Sequence, residues 1–151
     1  MILLCYGTRP EWIKIKPLVK VFEGKVKYRV IFTGQHPDLH GGEYDQCLDI
    51  INGKNRLDSI TESVMNEIDF DGVESVLVQG DTATGFAVAL SAFNHKIPVV
   101  HLEAGLRTYD LEHPYPEEGY RQMISRITNV HLCPTKTAKS QLLRDCVGGE
   151  I

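Results

Sequence analysis

Two acidic side chains stand directly after apolar runs of this 151-residue chain. Asp81 follows the run Ser75 to Gln79, and Glu103 follows Val99 to Leu102. Carboxylates that share a crevice can act as general acids and bases. Asp81 also fits the N-cap of a following helix, and the two interpretations of Asp81 are compatible. Glutamate caps helices poorly, so Glu103 is harder to explain structurally, and we expect it to point into the crevice beside Asp81.

A third carboxylate lies in a proline-punctuated loop, Glu112 to Glu118, that leads into a predicted helix. Acidic residues in a first helical turn interact favourably with the helix dipole, and this is the simpler interpretation of Glu117 and Glu118. The alternative is that the prolines hold Glu117 rigidly over the crevice, where it is a catalytic candidate. Arg121, four residues after Glu117, is most simply its partner on the same helix.

Positive charge is placed where it could hold a phosphate. Arg9 and Lys14 lie near the opening of the first predicted helix, where free amides and the helix dipole favour an anion. An equally open interpretation pairs Arg9 with Glu11 or a neighbouring carboxylate and leaves Lys14 on a solvated face. Gln35 and His36 follow the second apolar run, and His36 in particular is a candidate for substrate contact.

Composition excludes several classes of function. A formal net charge of -4 and an isoelectric point near 5.8 disfavour nucleic-acid binding. No apolar stretch approaches transmembrane length and the start lacks a basic signal region, so we expect a cytoplasmic protein that does not bind membranes. Neither a metal ion nor a cofactor is expected, because no zinc-type spacing is present. The four cysteines are expected to be reduced core residues.

Short apolar runs alternate with longer amphipathic stretches, as is typical of the βα units of a parallel sheet. Nearly continuous apolar runs fit strands that are covered on both faces. We therefore expect an α/β fold with a Rossmann-like parallel sheet and helices on both faces. The five predicted strands are Ile2 to Tyr6, Tyr28 to Thr33, Ser75 to Gln79, Val99 to Leu102 and Val130 to Cys133.

Helix starts have their own signals. The patterns Thr8-x-x-Glu11 and Ser59-x-x-Glu62 fit the capping box. We expect one helix from about Arg9 to Phe22 and a tightly packed one from Thr82 to Phe93.

The segment from Pro37 to Arg56 is the least informative, and we expect a short helix and a loop there. No sixth strand is visible that would complete a symmetrical doubly wound sheet. The chain is therefore expected to be one domain, residues 1–151, that ends as an interruption rather than a natural terminus.

Several ordered blocks of the sequence resemble the UDP-N-acetylglucosamine 2-epimerase family. They span most of the chain, with only about Pro37 to Phe70 unmatched and shorter than the family's equivalent. The matching blocks are Gly7-Thr8-Arg9-Pro10-Glu11-x-Ile13-Lys14, Thr33-Gly34-Gln35-His36, Gly80-Asp81-Thr82, His101-Leu102-Glu103-Ala104-Gly105-Leu106-Arg107-Thr108, Pro116-Glu117-Glu118-x-x-Arg121 and Pro134-Thr135.

The resemblance implies one half of a two-domain GT-B architecture with its active site between the domains. This chain would be the N-terminal domain, and the absent C-terminal domain would supply the uridine pocket and a histidine. The family interconverts UDP-N-acetylglucosamine and UDP-N-acetylmannosamine by eliminating and re-adding UDP. The positions that match its catalytic acids are Asp81, Glu103 and Glu117, those that match substrate-binding positions are Arg9 and Lys14, and weaker matches are Gln35, His36 and Arg121.

Two further functions remain open at this stage. The family's hydrolysing branch releases N-acetylmannosamine and UDP and shares these motifs. A non-catalytic module that binds sugar nucleotides is the alternative from another class. Family members are often homodimers, and Tyr120 and Trp12 depart from the residues that the family usually carries at their positions.

Overall fold

A computed structural model describes residues 1–36, 42–51 and 53–151, and it shows a parallel sheet with helices on both faces. This confirms the predicted Rossmann-like α/β class. The strands are β1 (Ile2–Tyr6), β2 (Tyr28–Phe32), β3 (Gln46–Cys47), β4 (Ser75–Gln79), β5 (Val99–Leu102) and β6 (Val130–Leu132). The helices are α1 (Arg9–Phe22), α2 (Arg56–Glu67), α3 (Ala83–Asn94), α4 (Glu117–Ile127) and α5 (Lys136–Arg144).

The strand order is β3-β2-β1-β4-β5-β6, the order of a doubly wound dinucleotide-binding sheet. The expectation of only five strands was therefore wrong. The sixth is β3, which has two residues and pairs with β2 through Ile31 and Gln46. Such a short strand carries no readable alternation of apolar and polar residues. The direction of the order reverses between β1 and β4, where a crevice opens at the carboxyl ends of the strands.

Successive side chains of β1 point to opposite faces of the sheet and pack into two separate hydrophobic cores. Leu3 and Cys5 join the core under α2, α3 and α4. Leu4 and Tyr6 join the core under α1, where Tyr6 packs against Trp12 with ring centroids 4.9 Å apart. Both faces of the sheet are thus covered, which explains why its strands read as continuous apolar runs.

The helix starts follow the sequence signals at α1 but not at α2. At α1 both hydrogen bonds of the predicted capping box form between Thr8 and Glu11. The second predicted box was wrong, because α2 begins at Arg56 with Asn55 as its N-cap. Ser59 lies one turn inside the helix, where its hydroxyl donates to the Asn55 carbonyl at 3.0 Å. A serine hydroxyl inside a helix can donate a hydrogen bond to a carbonyl of the preceding turn, so it does not indicate where the helix begins.

The segment from Pro37 to Arg56 lies partly outside the described residues, which omit 37–41 and 52. In its described part the expected short helix is not found, and β3 lies there instead. Of the four free cysteines, Cys5 is buried, whereas Cys47 and Cys146 are exposed, so the prediction of core cysteines was wrong for the last two. None of the helices among the described residues is long and apolar enough to cross a bilayer.

Candidate active site

A cleft of about 510 Å³ opens at the carboxyl ends of β1 and β4, where the strand order reverses. Six of the eight predicted site residues line it, because the strand-to-helix turns of a parallel sheet meet at one edge. They are Lys14, Gln35, His36, Asp81, Glu103 and Glu117. The other two, Arg9 and Arg121, do not line it.

Glu11 forms the floor of this cleft and is 1% exposed. Its Oε2 accepts hydrogen bonds from the Gly7 amide at 2.9 Å and from the Thr8 amide and hydroxyl, both at 2.8 Å. Its Oε1 accepts from the Thr82 hydroxyl at 2.7 Å. Glu11 therefore ties the turn after β1 to the turn after β4.

The four donors around Glu11 are all neutral, so the predicted alternative of an Arg9–Glu11 pair is not found. Burial raises the pKa of Glu11 even though the hydrogen bonds from Thr82, Gly7 and Thr8 oppose it. Sequence reasoning recognised Glu11 only as a capping residue. Its place on the floor of the cleft had no separate sequence signal, because the capping box already explains a glutamate at this position.

Glu103 enters the cleft from the turn after β5 with an unusual backbone. Its φ of 69° lies in the left-handed region, which costs free energy for a residue with a side chain. The Glu103 amide donates to the Leu132 carbonyl at 3.0 Å, which fixes this turn to β6. Its Oε2 receives Lys14 Nζ at 2.5 Å and the Gln79 side-chain amide. Lys14 thus forms an ion pair with Glu103, although the Lys14 side chain is partly exposed.

Gln79 is a cleft residue that the sequence reasoning missed. It is the last residue of β4 and only 3% exposed, yet it is polar. A buried amide at the end of an apolar strand needs a hydrogen-bond partner, and Glu103 supplies it. A polar residue at the end of an apolar run is the sequence signal that could have identified Gln79.

Asp81 reaches the cleft in a different way, through an ion pair. The Arg121 guanidinium contacts Asp81 Oδ2 with Nε at 2.7 Å and Nη2 at 2.6 Å. The predicted N-cap was wrong, because Thr82 caps α3 by accepting from the Gly85 amide at 2.9 Å. The predicted pairing of Arg121 with Glu117 was also wrong. Arg121 bridges Asp81 to Glu118, which lies three residues before it, with a 3.3 Å contact.

Glu118 is the anchor of this bridge and is fully buried. Its carboxylate accepts from the amides of Thr108 and Tyr109, at 3.0 and 3.1 Å, and from Gln122 at 2.9 Å. Burial alone would raise the pKa of Glu118, but the hydrogen bonds and the Arg121 contact together hold it below its usual range.

Glu117 begins α4 and lines the mouth of the cleft. Its Oε2 is buried, and among the described residues no donor lies within hydrogen-bond distance of it. A buried carboxylate oxygen without a partner is costly, so this atom is available to accept a hydrogen bond from a bound molecule. The neighbouring Tyr120 stacks on Phe86, with centroids 5.2 Å apart, and also lines the cleft.

The far side of the cleft is formed by Gln35 and His36. The Gln35 side-chain oxygen Oε1 accepts from the Thr84 hydroxyl at 2.9 Å and the Thr84 amide at 3.1 Å. His36 is exposed at the edge. Gly7 lies against Thr84, and a Cβ added there would stand 2.1 Å from the Thr84 hydroxyl, so only glycine fits.

Arg9 projects from the first turn of α1 into a separate groove with Trp12, Ile13 and Lys16. His101 is 1% exposed, and its Nε2 hydrogen-bonds the Gly80 carbonyl at 2.7 Å. It thereby fixes the turn that carries Asp81. Burial lowers the pKa of His101 to about 4, so the ring is neutral at pH 7.

The cleft is therefore acidic and suited to moving protons. Lys14 is the only lysine or arginine among the described residues that lines it, against the four carboxylates of Glu11, Asp81, Glu103 and Glu117. Three or more His, Cys, Asp or Glu side chains do not gather in a metal-binding arrangement anywhere in residues 1–36, 42–51 and 53–151. The site can exchange protons with a substrate but carries little positive charge to hold an anion.

Comparison with known proteins identifies the family. The sequence family described as UDP-N-acetylglucosamine 2-epimerase matches residues 21–149. The chain belongs to the UDP-N-acetylglucosamine 2-epimerase family. A UDP-N-acetylglucosamine 2-epimerase of Salmonella borreze is 41% identical over 97% of this chain and 42% of the relative. That of Campylobacter jejuni is 39% identical over 95% of this chain and 41% of the relative.

Solved structures of the epimerase family show the same fold. The enzyme of Neisseria meningitidis bound to UDP-GlcNAc superimposes with a TM-score of 0.87 at 36% identity, covering 97% of this chain and 43% of that one. The enzyme of Methanocaldococcus jannaschii with UDP-GlcNAc and UDP gives 0.83 at 33% identity, covering 95% and 43%. The chain thus spans less than half the length of the epimerases that it matches.

Proposed function

We propose that this chain forms one wall of the active site of a UDP-N-acetylglucosamine 2-epimerase, which interconverts UDP-N-acetylglucosamine and UDP-N-acetylmannosamine. The observation that carries the proposal is the convergence of Asp81, Glu103 and Glu117 on one cleft at the reversal of the sheet. The two epimerases solved with UDP-GlcNAc support this choice of substrate.

The proposed reaction uses the carboxylates as acids and bases. One takes the proton from C2 of the sugar while the bond from C1 to the diphosphate oxygen breaks, and the electron pair leaves with UDP. The product of this step is 2-acetamidoglucal. UDP then adds back to C1, and a carboxylic acid returns a proton to the opposite face of C2. A C2 proton is a poor acid, so base, leaving-group stabilisation and exclusion of water must act together.

The substrate diphosphate needs more positive charge than this wall supplies. Lys14 is proposed to contact it, with Gln35 and His36 along the sugar nucleotide. Arg9, exposed at the opening of α1, is proposed to turn toward the diphosphate when the second wall is present. Arg121 is proposed to act on the sugar through Asp81, because its guanidinium is already paired there.

The second wall is proposed to be a C-terminal domain, so that residues 1–151 form the N-terminal Rossmann-like domain of a GT-B enzyme. The share of each relative that this chain spans, 42% or 43%, supports this arrangement. We further propose that the complete enzyme works in the cytoplasm as a homodimer and makes a nucleotide sugar for cell-envelope polysaccharide.

Turnover by the chain alone and by a completed chain tests the proposal. The 151-residue chain is expected to convert UDP-N-acetylglucosamine negligibly. Fusion to the part of the Neisseria meningitidis enzyme that this chain does not match is expected to restore epimerisation. Robust epimerisation by the isolated chain would overturn the proposed second wall. An inactive but folded fusion points to a binding module, and free N-acetylmannosamine among its products points to the hydrolysing reaction.

Substitution within the active fusion tests the carboxylates. Asp81→Asn, Glu103→Gln and Glu117→Gln are each expected to lower kcat by about 100-fold or more, because each removes a group that exchanges a proton. Glu62→Gln is the matched control, since Glu62 is exposed on α2 outside the cleft. A carboxylate whose substitution leaves kcat at the level of the control has no part in the proton transfers.

A further inference from the structure

The two carboxylate oxygens of Glu103 have different surroundings. Oε2 receives both donors, Lys14 Nζ and Gln79 Nε2. No described residue hydrogen-bonds Oε1, although Glu103 lines the cleft. When one oxygen of a carboxylate is held by hydrogen bonds, the direction of the other oxygen is set as well. In Glu103 the held oxygen is Oε2, so Oε1 is left to face the cleft.

The two donors on Oε2 differ in mobility. The Lys14 side chain is 45% exposed and sits on a flexible stem. Gln79 is 3% exposed, belongs to β4, and is held between the parallel neighbours β1 and β5. If Lys14 turns to a substrate diphosphate, Gln79 is the donor that stays on Glu103.

The backbone at Glu103 leaves the side chain in need of such an anchor. The left-handed φ at Glu103 and its amide bond to Leu132 set where the side chain starts. Gly80, between Gln79 and Asp81, lies beside Oε2 and has a φ of 70°, a backbone conformation that glycine adopts readily. The hydrogen bond from Gln79 then determines the position of the Glu103 carboxylate.

We propose that Gln79 is a positioning residue, which anchors Oε2 of Glu103 and so makes Oε1 the oxygen that exchanges a proton with the substrate. This inference rests on the proposed function, because it assigns an orientation to one of the proposed catalytic groups. Gln79 itself does not touch the reacting atoms. Its amide keeps Glu103 oriented through a cycle in which Lys14 changes partner.

The kinetic test uses the active fusion protein with Gln79→Met, which keeps the side-chain length and removes the donor. We expect kcat to fall by about tenfold or more with KM for UDP-N-acetylglucosamine unchanged, because orientation affects the transition state and not ground-state binding. Gln79→Glu is expected to lower kcat further, since a second carboxylate would face Oε2. Gln46→Met, which removes an amide from β3 far from Glu103, is the matched control and is expected to leave both constants unchanged.

A measurement on the 151-residue chain separates failure of this inference from failure of the proposed function. The side-chain amide of Gln79 is observed by NMR in ¹⁵N-labelled protein, with and without Glu103→Ala. We expect one Gln79 amide proton to be protected from exchange in the unmodified chain and to lose that protection in the variant. An unprotected Gln79 amide, or a Gln79→Met enzyme with full kcat, overturns the inference. A rise in KM with unchanged kcat also overturns it.

Discussion

Glu11 and Glu118 are both buried glutamates beside the cleft, with 1% and 0% exposure, but they are stabilised differently. Glu11 has only neutral donors, and burial raises its pKa. Glu118 has the Arg121 guanidinium as well as neutral donors, and its pKa is lowered. At Glu11 burial outweighs the hydrogen bonds that the carboxylate accepts. At Glu118 the hydrogen bonds from Gln122, Thr108 and Tyr109, with a smaller contribution from Arg121, outweigh burial.

The difference shows how this half of the cleft is built. Glu11 joins two turns, after β1 and β4, with hydrogen bonds alone. Glu118 joins α4 to the segment that follows β5, and through Arg121 it orients Asp81. A carboxyl whose folded pKa is raised stabilises the fold fully below its unfolded pKa, and this contribution is lost as pH rises through the folded pKa. A carboxyl with a lowered pKa shows the opposite dependence.

The largest effect is expected from Glu11→Ala. The substitution removes the acceptor of three buried donors, the Gly7 amide and the Thr8 amide and hydroxyl, and of the part-buried Thr82 hydroxyl. We expect the free energy of unfolding to fall by about 3–5 kcal/mol at pH 7, since each orphaned donor costs about 1–3 kcal/mol. Urea unfolding measures it. The matched control is Glu62→Ala on the exposed face of α2, expected within about 0.5 kcal/mol of the unmodified chain. A loss below about 1 kcal/mol for Glu11→Ala would show that Glu11 does not hold the two turns together.

His101 extends the comparison to a buried base, in which burial lowers the pKa although the Gly80 hydrogen bond and the nearby Glu103 oppose it. The folded pKa of about 4 lies below the ordinary histidine pKa of 6.5, so the unfolded chain binds more protons between these values. Its contribution to stability is complete above about pH 6.5 and is lost as pH falls toward 4, by about 3 kcal/mol in total. His101→Gln keeps a donor for the Gly80 carbonyl but does not titrate. We expect the difference in unfolding free energy between the two proteins to change by this amount over the window, and a constant difference contradicts the neutral, buried ring.

Much of this architecture is predictable because local and periodic signals agree. The strands β1, β4 and β5 and the helix α1 begin and end where the apolar runs and the Thr8 capping box indicate. Once a parallel sheet is recognised, its carboxyl edge collects the polar residues that follow each strand. This rule placed Asp81 and Glu103 together, while their chemical roles stay predictions. Glu117 follows no strand directly, so the rule alone does not bring it to the cleft.

What was not predictable depends on contacts between distant segments. The partner of Arg121 is Asp81, 40 residues away, and no spacing along α4 contains that information. Gln79 and Glu103 meet only because β4 and β5 are neighbours in the sheet. The strand β3 has two residues, which is too short for a periodic signal.

Removal of the charge from the Glu118 site brings it closer to the situation of Glu11. Arg121→Met leaves Glu118 buried with neutral donors only and leaves Asp81 without its guanidinium. We expect a loss of about 2 kcal/mol at pH 7, below that of a fully buried ion pair because Asp81 is partly exposed. The sign of the pH dependence follows from the lowered pKa of Glu118. The loss is largest above pH 4.5 and shrinks as pH falls through the folded pKa.

Unfolding of Arg121→Met by urea at pH 7 and at pH 4 measures this dependence. Arg144→Met provides the comparison, since Arg144 is exposed at the end of α5 and forms no ion pair with Glu118 or Asp81. It is expected to cost about 0.5 kcal/mol at both values of pH. Equal losses for Arg121→Met at the two values of pH would mean that its role is packing and not charge.

The smallest effect is expected from Thr82→Val, which isolates one hydrogen bond of the Glu11 network. Thr82 accepts from the Gly85 amide as the N-cap of α3 and donates to Glu11 Oε1. Thr135 is an N-cap of the same kind on α5, accepting from the Ala138 amide at 3.1 Å, and donates to no carboxylate among the described residues. Thr135→Val therefore measures the cap alone, at about 0.5–1 kcal/mol, and Thr82→Val is expected to cost about 1 kcal/mol more.

In a Glu11→Ala background the two valine substitutions should cost the same, because the acceptor that distinguishes them is gone. An excess that persists without Glu11 places the stabilisation in the α3 cap and removes Thr82 from the link between the two turns.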